Sequence, residues 1–321
     1  MKLMDIYLHL KPDLEYVETW LDKEVRSKQK DLENAAIHLL KAGGKRIRPV
    51  FVLLSGQFGQ YDREKLARVA VALELIHMAT LVHDDVIDDS KTRRGIPTVR
   101  SEWGNRMAMY TGDFIFARAL SMLSELPYVQ IHQLLSKSIV RMCEGEIEQI
   151  RDFYSLEQNF RRYLRRIERK TAILMEVSCK LGAIVTDASQ SVVRTLGRYG
   201  HFLGMAFQIV DDILDFTSTQ DKLGKPAGAD LLQGNITLPV LYALHCTQSG
   251  QALRETVRPN MSRTEADQAI RLVKESGGIE YAKKVAGLYL DKCLNELAKL
   301  PAGQHRDSLE QIAKFTASRE Y

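Results

Sequence analysis

VAVALELIHMATLVHDDVIDD, residues Val69–Asp89, is the stretch on which the reading of the whole chain turns. From Val69 to Val82 it is nearly apolar throughout, interrupted only by Glu74, His77 and Thr80. A helix that is hydrophobic on every face belongs at the centre of a large bundle. Polar groups buried on such a helix need partners. The run passes straight into His83-Asp-Asp-Val-Ile-Asp-Asp89, so a buried helix ends in a cluster of carboxylates. On a helix Asp84 and Asp88 stand four residues apart and share one face, where like charges repel.

The pattern recurs. Phe202 to Val210 is a second apolar run, and it ends in Asp211, Asp212 and Asp215, with Asp211 and Asp215 on a common face. One such cluster is ordinarily a solvated helix end. Two identical DDxxD patterns, each closing an apolar helix, call instead for a compensating cation. A hard ion such as Mg²⁺ fits, held by a few carboxylates and completed by water and phosphate oxygens.

Elsewhere the chain reads as helix. Apolar residues at Ile139, Met142, Cys143, Ile147 and Ile150 follow helical spacing, and no proline falls between Pro127 and Pro226. Turn residues cluster at a few places, such as Lys41-Ala-Gly-Gly44 and Gly224-Lys-Pro-Ala-Gly228. Strand-like alternation is hard to find, and there is no linker, low-complexity tract or fixed-period repeat. The predicted architecture is all-α: one domain over residues 1–321, a bundle of many helices.

The chain has 321 residues, 45% apolar and 27% charged, with a net charge of +4. That charge is too small for a dedicated nucleic-acid binder with a basic stripe. The basic run Arg161, Arg162, Arg165, Arg166, Arg169, Lys170 is read as a solvated helix face, with Lys170 taken out of it. Cys143, Cys179, Cys246 and Cys293 have no paired spacing, which argues against a zinc site or disulfide framework and for a reducing cytoplasm. The N-terminus carries acidic residues where a signal peptide needs an apolar core. No stretch is expected to reach the roughly 20 apolar residues of a bilayer span, so the protein is read as not transmembrane.

Basic groups complete the candidate chemistry. Gly43-Gly-Lys-Arg-Ile-Arg-Pro49 joins a flexible turn to Lys45, Arg46 and Arg48; Arg93-Arg94-Gly95 follows the first acid cluster; Lys170-Thr171 and Gly224-Lys225 come later. With the two acid clusters they describe a site for two polyanions, one bridged by metal and one held by direct cation contacts. Arginine suits phosphate because its planar fork binds two oxygens at once.

GGKRIRP, LIHMATLVHDDVIDDSKTRRGIPT, KTA, FQIVDDILD and GKPAGADLLQGNITLP stand in the order seen in trans-isoprenyl diphosphate synthases, and the chain resembles that family from Gly43 to Pro239 at least. Within it the likeness is to the larger, catalytic subunits of bacterial two-component heptaprenyl diphosphate synthases. The resemblance implies an all-α isoprenoid-synthase fold around a deep central cavity, usually dimeric, here with a smaller non-catalytic partner. It implies head-to-tail condensation of isopentenyl diphosphate onto an allylic diphosphate with Mg²⁺. The product would be medium or long and all-trans, heptaprenyl for preference, a precursor of the menaquinone side chain and delivered to membrane; other lengths, geranylgeranyl or hexaprenyl to nonaprenyl, are the alternative.

By the same resemblance Asp84 and Asp88, with Asp85 nearby, and Asp211 and Asp215 bind metal. Lys45, Arg48, His77 and Arg94 would take isopentenyl diphosphate, and Arg93, Lys170, Thr171, Gln208 and Lys225 the allylic diphosphate. Gly234-Asn-Ile-Thr-Leu-Pro239 has Asn235 where many short-chain members have lysine, which shifts the load onto Lys170 and Lys225. Chain length would be set on the helix before Asp84. Ala79 and Thr80 are small where short-chain members often carry a ring, and Ile76 lies deeper, about 12 Å from Asp84 along the helix. A terpene cyclase has no use for GGKRIRP and Arg94, and a regulatory subunit need not keep both aspartate sets.

Overall fold

The computed structural model describes residues 3–217 and 227–318. They form α1 (Leu3–His9), α2 (Lys11–Glu24), α3 (Lys30–Lys41), α4 (Ile47–Gly56), α5 (Arg63–Ile87), α6 (Val99–Ser124), α7 (Val129–Asp152), α8 (Phe160–Ile167), α9 (Ile173–Ile184) and α10 (Gln190–Thr217). There follow α11 (Ala229–Leu232), α12 (Leu238–Cys246), α13 (Gly250–Thr256), α14 (Arg263–Glu275), α15 (Gly278–Leu297) and α16 (Gln304–Ala317). A π-turn, Glu168–Ala172, joins α8 to α9. The fold is all-α; among the described residues the only sheet is a hairpin of β1 (Thr92–Arg93) and β2 (Ile96–Pro97).

Helix starts follow local chemistry. Asp62 caps α5 by accepting from the backbone N–H groups of Glu64 and Lys65, and Thr98 caps α6 through Ser101. Ser262 and Glu265 form a reciprocal capping box at α14. Each satisfies backbone donors that the first turn leaves without intrahelical partners.

The chain divides into two compact units. One comprises Met1–Leu135, Val177–Leu196 and Ala302–Leu309; the other comprises Ser136–Glu176, Gly197–Pro301 and Glu310–Tyr321. In the first unit α5 packs against α2, α4 and α6, and Val69 to Leu73, Leu75 and Ile76 have no exposed surface. This is the all-round apolar helix placed at a core centre. Its length and an 18-residue window of mean hydropathy 1.5 meet the requirements of a bilayer span, which corrects the expectation that no stretch approaches one; 72% of that window is buried within the protein. In the second unit Tyr163, Ile209, Phe216, Leu241 and Ala282 belong to one apolar core, where α12 packs against α13, α14 and α15.

The basic run of α8 and the π-turn is a solvated face only in part. Arg161, Arg162 and Arg165 are exposed, but Arg166 is buried, donating to Gln158 Oε1 (3.0 Å) and to the Ile236 carbonyl (2.8 Å). Arg169 pairs with Glu144 and Glu148. All four cysteines are free thiols, Cys143 and Cys246 exposed, Cys179 and Cys293 buried.

Candidate active site

In the first unit α5 delivers its carboxylates at its own C-terminus. Asp84 lies in the last turn; Asp88 closes the helix, its N–H donating to the Asp84 carbonyl at 2.8 Å. A helix C-terminus carries partial negative charge from its last carbonyls. Carboxylates there are badly placed for stability and well placed to attract a cation. Asp85 points elsewhere. It is buried and gripped by Arg93, whose Nε lies 2.9 and 3.1 Å from the two oxygens and whose Nη2 lies 2.7 Å from Oδ1.

Arg93 and Arg94 are separated by the hairpin. Arg94 and Gly95 form its two-residue loop with φ of 52° and 81°, the paired left-handed conformation that a tight two-residue hairpin loop requires. Arg93 thus turns onto Asp85, while the guanidinium of Arg94 lies against Gly44. A Cβ on Gly44 would stand 2.7 Å from Arg94 Nη1 and 3.2 Å from Arg46 Nη1. Only a residue without a side chain leaves room for both groups.

Arg46 begins α4 in a left-handed conformation (φ 47°). It is held by Glu18 (Nε to Oε1, 2.5 Å) and by Glu74 (Nη1 to Oε1, 3.1 Å). Tyr7 of α1 donates to the Lys45 carbonyl at 2.5 Å. The Gly43–Arg48 turn is therefore fixed from three sides, by α1, α2 and α5. Glu74, the charged residue inside the apolar run, finds its partner in Arg46. Its Oε2 is buried without a hydrogen-bond partner, as is Nε of Arg48. Among the described residues, neither Arg48 nor Arg94 forms a salt bridge with a carboxylate.

The consequence is a surplus of positive charge around His77. Burial first, then Arg48, Arg94, Arg93 and Arg46, hold its imidazole well below the ordinary histidine range. Burial pushes Arg48 down to about 10, with Arg94 adding to the effect and Glu74 opposing it. Burial likewise lowers Arg94, with Glu74 opposing and Arg46 and Arg93 reinforcing. Four guanidinium groups sharing few carboxylates form a receptor for a polyanion. Ile76 and Ala79 are buried on this helix; Thr80 is partly exposed, its hydroxyl donating to the His77 carbonyl at 2.8 Å.

In the second unit the acid cluster closes α10. Asp211 is exposed, whereas Asp212 and Asp215 are buried. Asp215 Oδ2 accepts from the Asp230 N–H at 3.2 Å, and its carbonyl accepts from Gly228 N–H at 2.8 Å. Burial, followed by Asp230, raises Asp212 to about 7, with bonds from Tyr163 and Gln208 opposing and Asp211 adding to the rise. Lys170 and Thr171 lie in the π-turn, a conformation frequent at functional sites. Lys170 Nζ is 3.1 Å from Glu146 Oε2. Thr171 Oγ1 donates to Gln208 Oε1 at 2.6 Å. Gly204 allows this approach: a Cβ there would lie 2.5 Å from Ala172 Cα. Asn235 donates its N–H to the Asp230 carbonyl at 2.8 Å. Lys225, with the start of its Gly224–Gly228 motif, lies outside the described residues.

The structure thus gathers Arg46, Arg48, Arg93 and Arg94 about His77 of α5 in the first unit, with Lys45 adjacent in the chain, and in the second unit sets Lys170 on Glu146 and Thr171 on Gln208 of α10. Sequence reading gave no role to Tyr7, Glu18, Glu74, Tyr163 or Asp212. Glu74 carried a signal, a charge inside an apolar helix, and Asp212 stood in the second acid cluster; Tyr7, Glu18 and Tyr163 are brought in by packing. Among the described residues no group of three or more His, Cys, Asp or Glu side chains forms a complete metal cage. The donors at both helix ends are carboxylate oxygens at the negative pole of a helix, few in number. That set suits a hard divalent ion which completes its shell with water and phosphate oxygen.

A helical fold with two DDxxD ends and an arginine receptor around a partly buried histidine is the frame of an all-α protein that handles diphosphates. The chain belongs to the polyprenyl synthetase family, whose model matches residues 29–273 and so draws on both units. It is 52% identical over 321 residues to heptaprenyl diphosphate synthase component 2 of Geobacillus stearothermophilus, covering 100% of both chains. It is 51% identical to the protein of the same name from Bacillus subtilis (strain 168), covering 100% of this chain and 92% of that one. The solved heptaprenyl diphosphate synthase of Staphylococcus aureus superposes with a TM-score of 0.93 at 45% identity, over 97% of this chain and 98% of that one.

Proposed function

We propose that the chain joins isopentenyl diphosphate head to tail to an allylic prenyl diphosphate, releasing pyrophosphate and repeating the cycle to a long all-trans product, heptaprenyl diphosphate. The observation that carries this reading is the arginine receptor around His77 on the same helix that ends in Asp84 and Asp88. Seven residues at 1.5 Å each place the two about 10 Å apart. One helix therefore offers a cation-held position for one diphosphate and a carboxylate end for a metal-held second one. The heptaprenyl product is supported by the names of the relatives, the small Ala79 and Thr80 by resemblance alone.

In this reading Asp84 and Asp88, and Asp211 and Asp215, hold Mg²⁺, which neutralises charge on the leaving pyrophosphate. Arg48, Arg94 and Lys45 anchor isopentenyl diphosphate and leave its double bond free to attack the allylic carbon. His77, held neutral first by burial and then by its cationic neighbours, adds a polar contact without further charge. Arg93 is held on Asp85, so its part on the allylic side is played as an ion pair. Lys170, Thr171 and Gln208 take the allylic diphosphate from the π-turn and α10, and Lys225 is assigned to the same substrate by resemblance. The apolar flank of α5 keeps water from the cationic carbon that develops.

The name "component 2" shared by two relatives supports a second, smaller component as partner in a dimeric assembly. Four free thiols support a cytoplasmic location, with one catalytic domain supplying a quinone side chain to the membrane. The test is incorporation of radiolabelled isopentenyl diphosphate into products resolved beside chain-length standards, with and without the candidate partner and across Mg²⁺ concentrations. Label in heptaprenyl product, lost in Asp84→Ala and Asp88→Ala, is expected. Products formed without uptake of label would refute the reading and favour cyclase chemistry.

A further inference from the structure

The second aspartate of FQIVDDILD, Asp212, differs in kind from its neighbours. Asp211 is exposed at the end of α10, but Asp212 is buried and both its oxygens are engaged by the protein: Oδ2 accepts from the Tyr163 hydroxyl at 2.6 Å and Oδ1 from Gln208 Nε2 at 2.9 Å. Tyr163 is itself fully buried in the apolar core of this unit. Gln208 then offers its carbonyl to Thr171 Oγ1 at 2.6 Å. Three hydrogen bonds run from a buried tyrosine to the π-turn.

The polarity of that chain follows from the ionised form of Asp212, which only accepts: Gln208 then turns its amide nitrogen to Asp212 and its carbonyl to Thr171. Gly204, Gln208 and Asp212 succeed one another every four residues and share a face of α10. The close approach at Gly204 brings the π-turn onto the same face. The position and donor polarity of Thr171 therefore depend on a tyrosine eight residues away in sequence, on α8.

We infer that Tyr163 is a positioning residue for the reaction: through Asp212 it sets the Thr171–Gln208 arm in the geometry that receives the allylic diphosphate, and Asp212 is an anchor of that arm. The inference rests on the proposed role of Thr171 and Gln208 at that substrate. It assigns work to a residue that touches neither substrate nor metal.

The experiment compares Tyr163→Phe, Asp212→Asn and Thr171→Val in the full chain. It measures KM for each substrate, kcat, the Mg²⁺ concentration for half-maximal rate, and calorimetric binding of a non-reactive allylic thiolodiphosphate. Tyr163→Phe keeps the ring and removes one donor. Its KM for the allylic substrate, and its Kd for the thiolodiphosphate, are expected to rise ~3–10-fold, no more than the worth of one ordinary hydrogen bond, because the bond lost acts on the substrate only through Asp212 and Gln208. KM for isopentenyl diphosphate should hold within about twofold, since no bond of that site is touched. Asp212→Asn presents a donor to Gln208, reverses its amide and should raise the same two constants. If Tyr163→Phe melts too low to assay, Asp212→Asn, which keeps volume and an acceptor for Tyr163, decides alone. Unchanged allylic constants in the folded variants, or equal rises for both substrates, would overturn the inference. So would an Asp212→Asn variant whose Mg²⁺ requirement shifts while its allylic KM does not, because Asp212 would then act on metal. Thr171→Val separates the levels. If it raises the allylic KM while Tyr163→Phe does not, the inference alone fails; if it too has no effect, the assignment of the arm fails and takes the inference with it.

Discussion

Glu74→Gln should lower the stability of the ligand-free protein and enlarge the stabilisation that a diphosphate confers. Glu74 Oε1 lies 3.1 Å from Arg46 Nη1, with side-chain exposures of 4% and 11%, so water screens the pair little. Two unit charges about 4 Å apart at an effective dielectric constant of about 20 attract by ~4 kcal/mol before desolvation is counted. Glutamine keeps the volume and an acceptor for Arg46 and is cheaper to bury, which offsets part of that. The net loss expected is ~1–3 kcal/mol. The same change removes a negative charge from beside Arg48 and Arg94, leaving those cations to a bound anion. About tenfold tighter binding corresponds to ~1.4 kcal/mol. At a ligand concentration of 100 Kd the parent protein is stabilised by ~2.7 kcal/mol, and a tenfold tighter variant by ~4.1 kcal/mol at the same concentration. Thermal unfolding with pyrophosphate and with isopentenyl diphosphate, in metal-free buffer so that the aspartate ends stay silent, measures both effects. A variant that melts lower but gains the same ligand-induced shift as the parent would refute the argument, since Glu74 would then be a packing residue without electrostatic connection to the site.

Three further outcomes follow from the same geometry. Arg93→Ala strips the bidentate partner from buried Asp85 and should destabilise by ~2–4 kcal/mol in urea unfolding, with part recovered in the Arg93→Ala, Asp85→Asn double variant; Arg94→Ala should change stability by less than ~0.5 kcal/mol yet raise KM for isopentenyl diphosphate. Ala79→Phe inserts a ring beside a fully packed helix, so it should cost ~1–3 kcal/mol and shorten the product; a folded variant with an unchanged chromatographic profile would remove Ala79 from the elongation path. His77 is held neutral in the folded state, so below its unfolded pKa near 6.5 the unfolded chain binds the additional proton and stability falls with falling pH. His77→Asn should flatten that acid decline in urea midpoints taken from pH 7 to 5, and an unchanged slope would mean that His77 protonates freely in the fold.

The fold class and much of the chemistry were legible because they depend on local pattern. The apolar run into HDDVIDD required a central helix ending in acid, and the structure places α5 at the core of the first unit with Asp84 in its last turn. RRG signalled cations near that acid. That the two arginines part company, one to Asp85 and one to Gly44, depends on a two-residue loop whose effect appears only when the hairpin is closed. The expectation that no stretch approaches a span fails at α5, Arg63–Ile87, whose length and 18-residue window of mean hydropathy 1.5 suffice although 72% of that window is buried against the rest of the protein.

By itself, the sequence determined what is periodic or contiguous: helices, the two aspartate ends, the cation motifs and the family they belong to. Tertiary structure alone decided which polar groups meet. Glu18 reaches Arg46 from α2, Tyr7 reaches Lys45 from α1, and Tyr163 reaches Asp212 from α8. Equivalent-looking aspartates consequently divide, Asp84 and Asp211 into helix-end groups and Asp85 and Asp212 into buried anchors. The physical reason is that helical periodicity fixes which face a residue occupies, whereas the penalty for burying an unpaired charge is relieved only by a partner from another helix, and no spacing along the chain specifies which one.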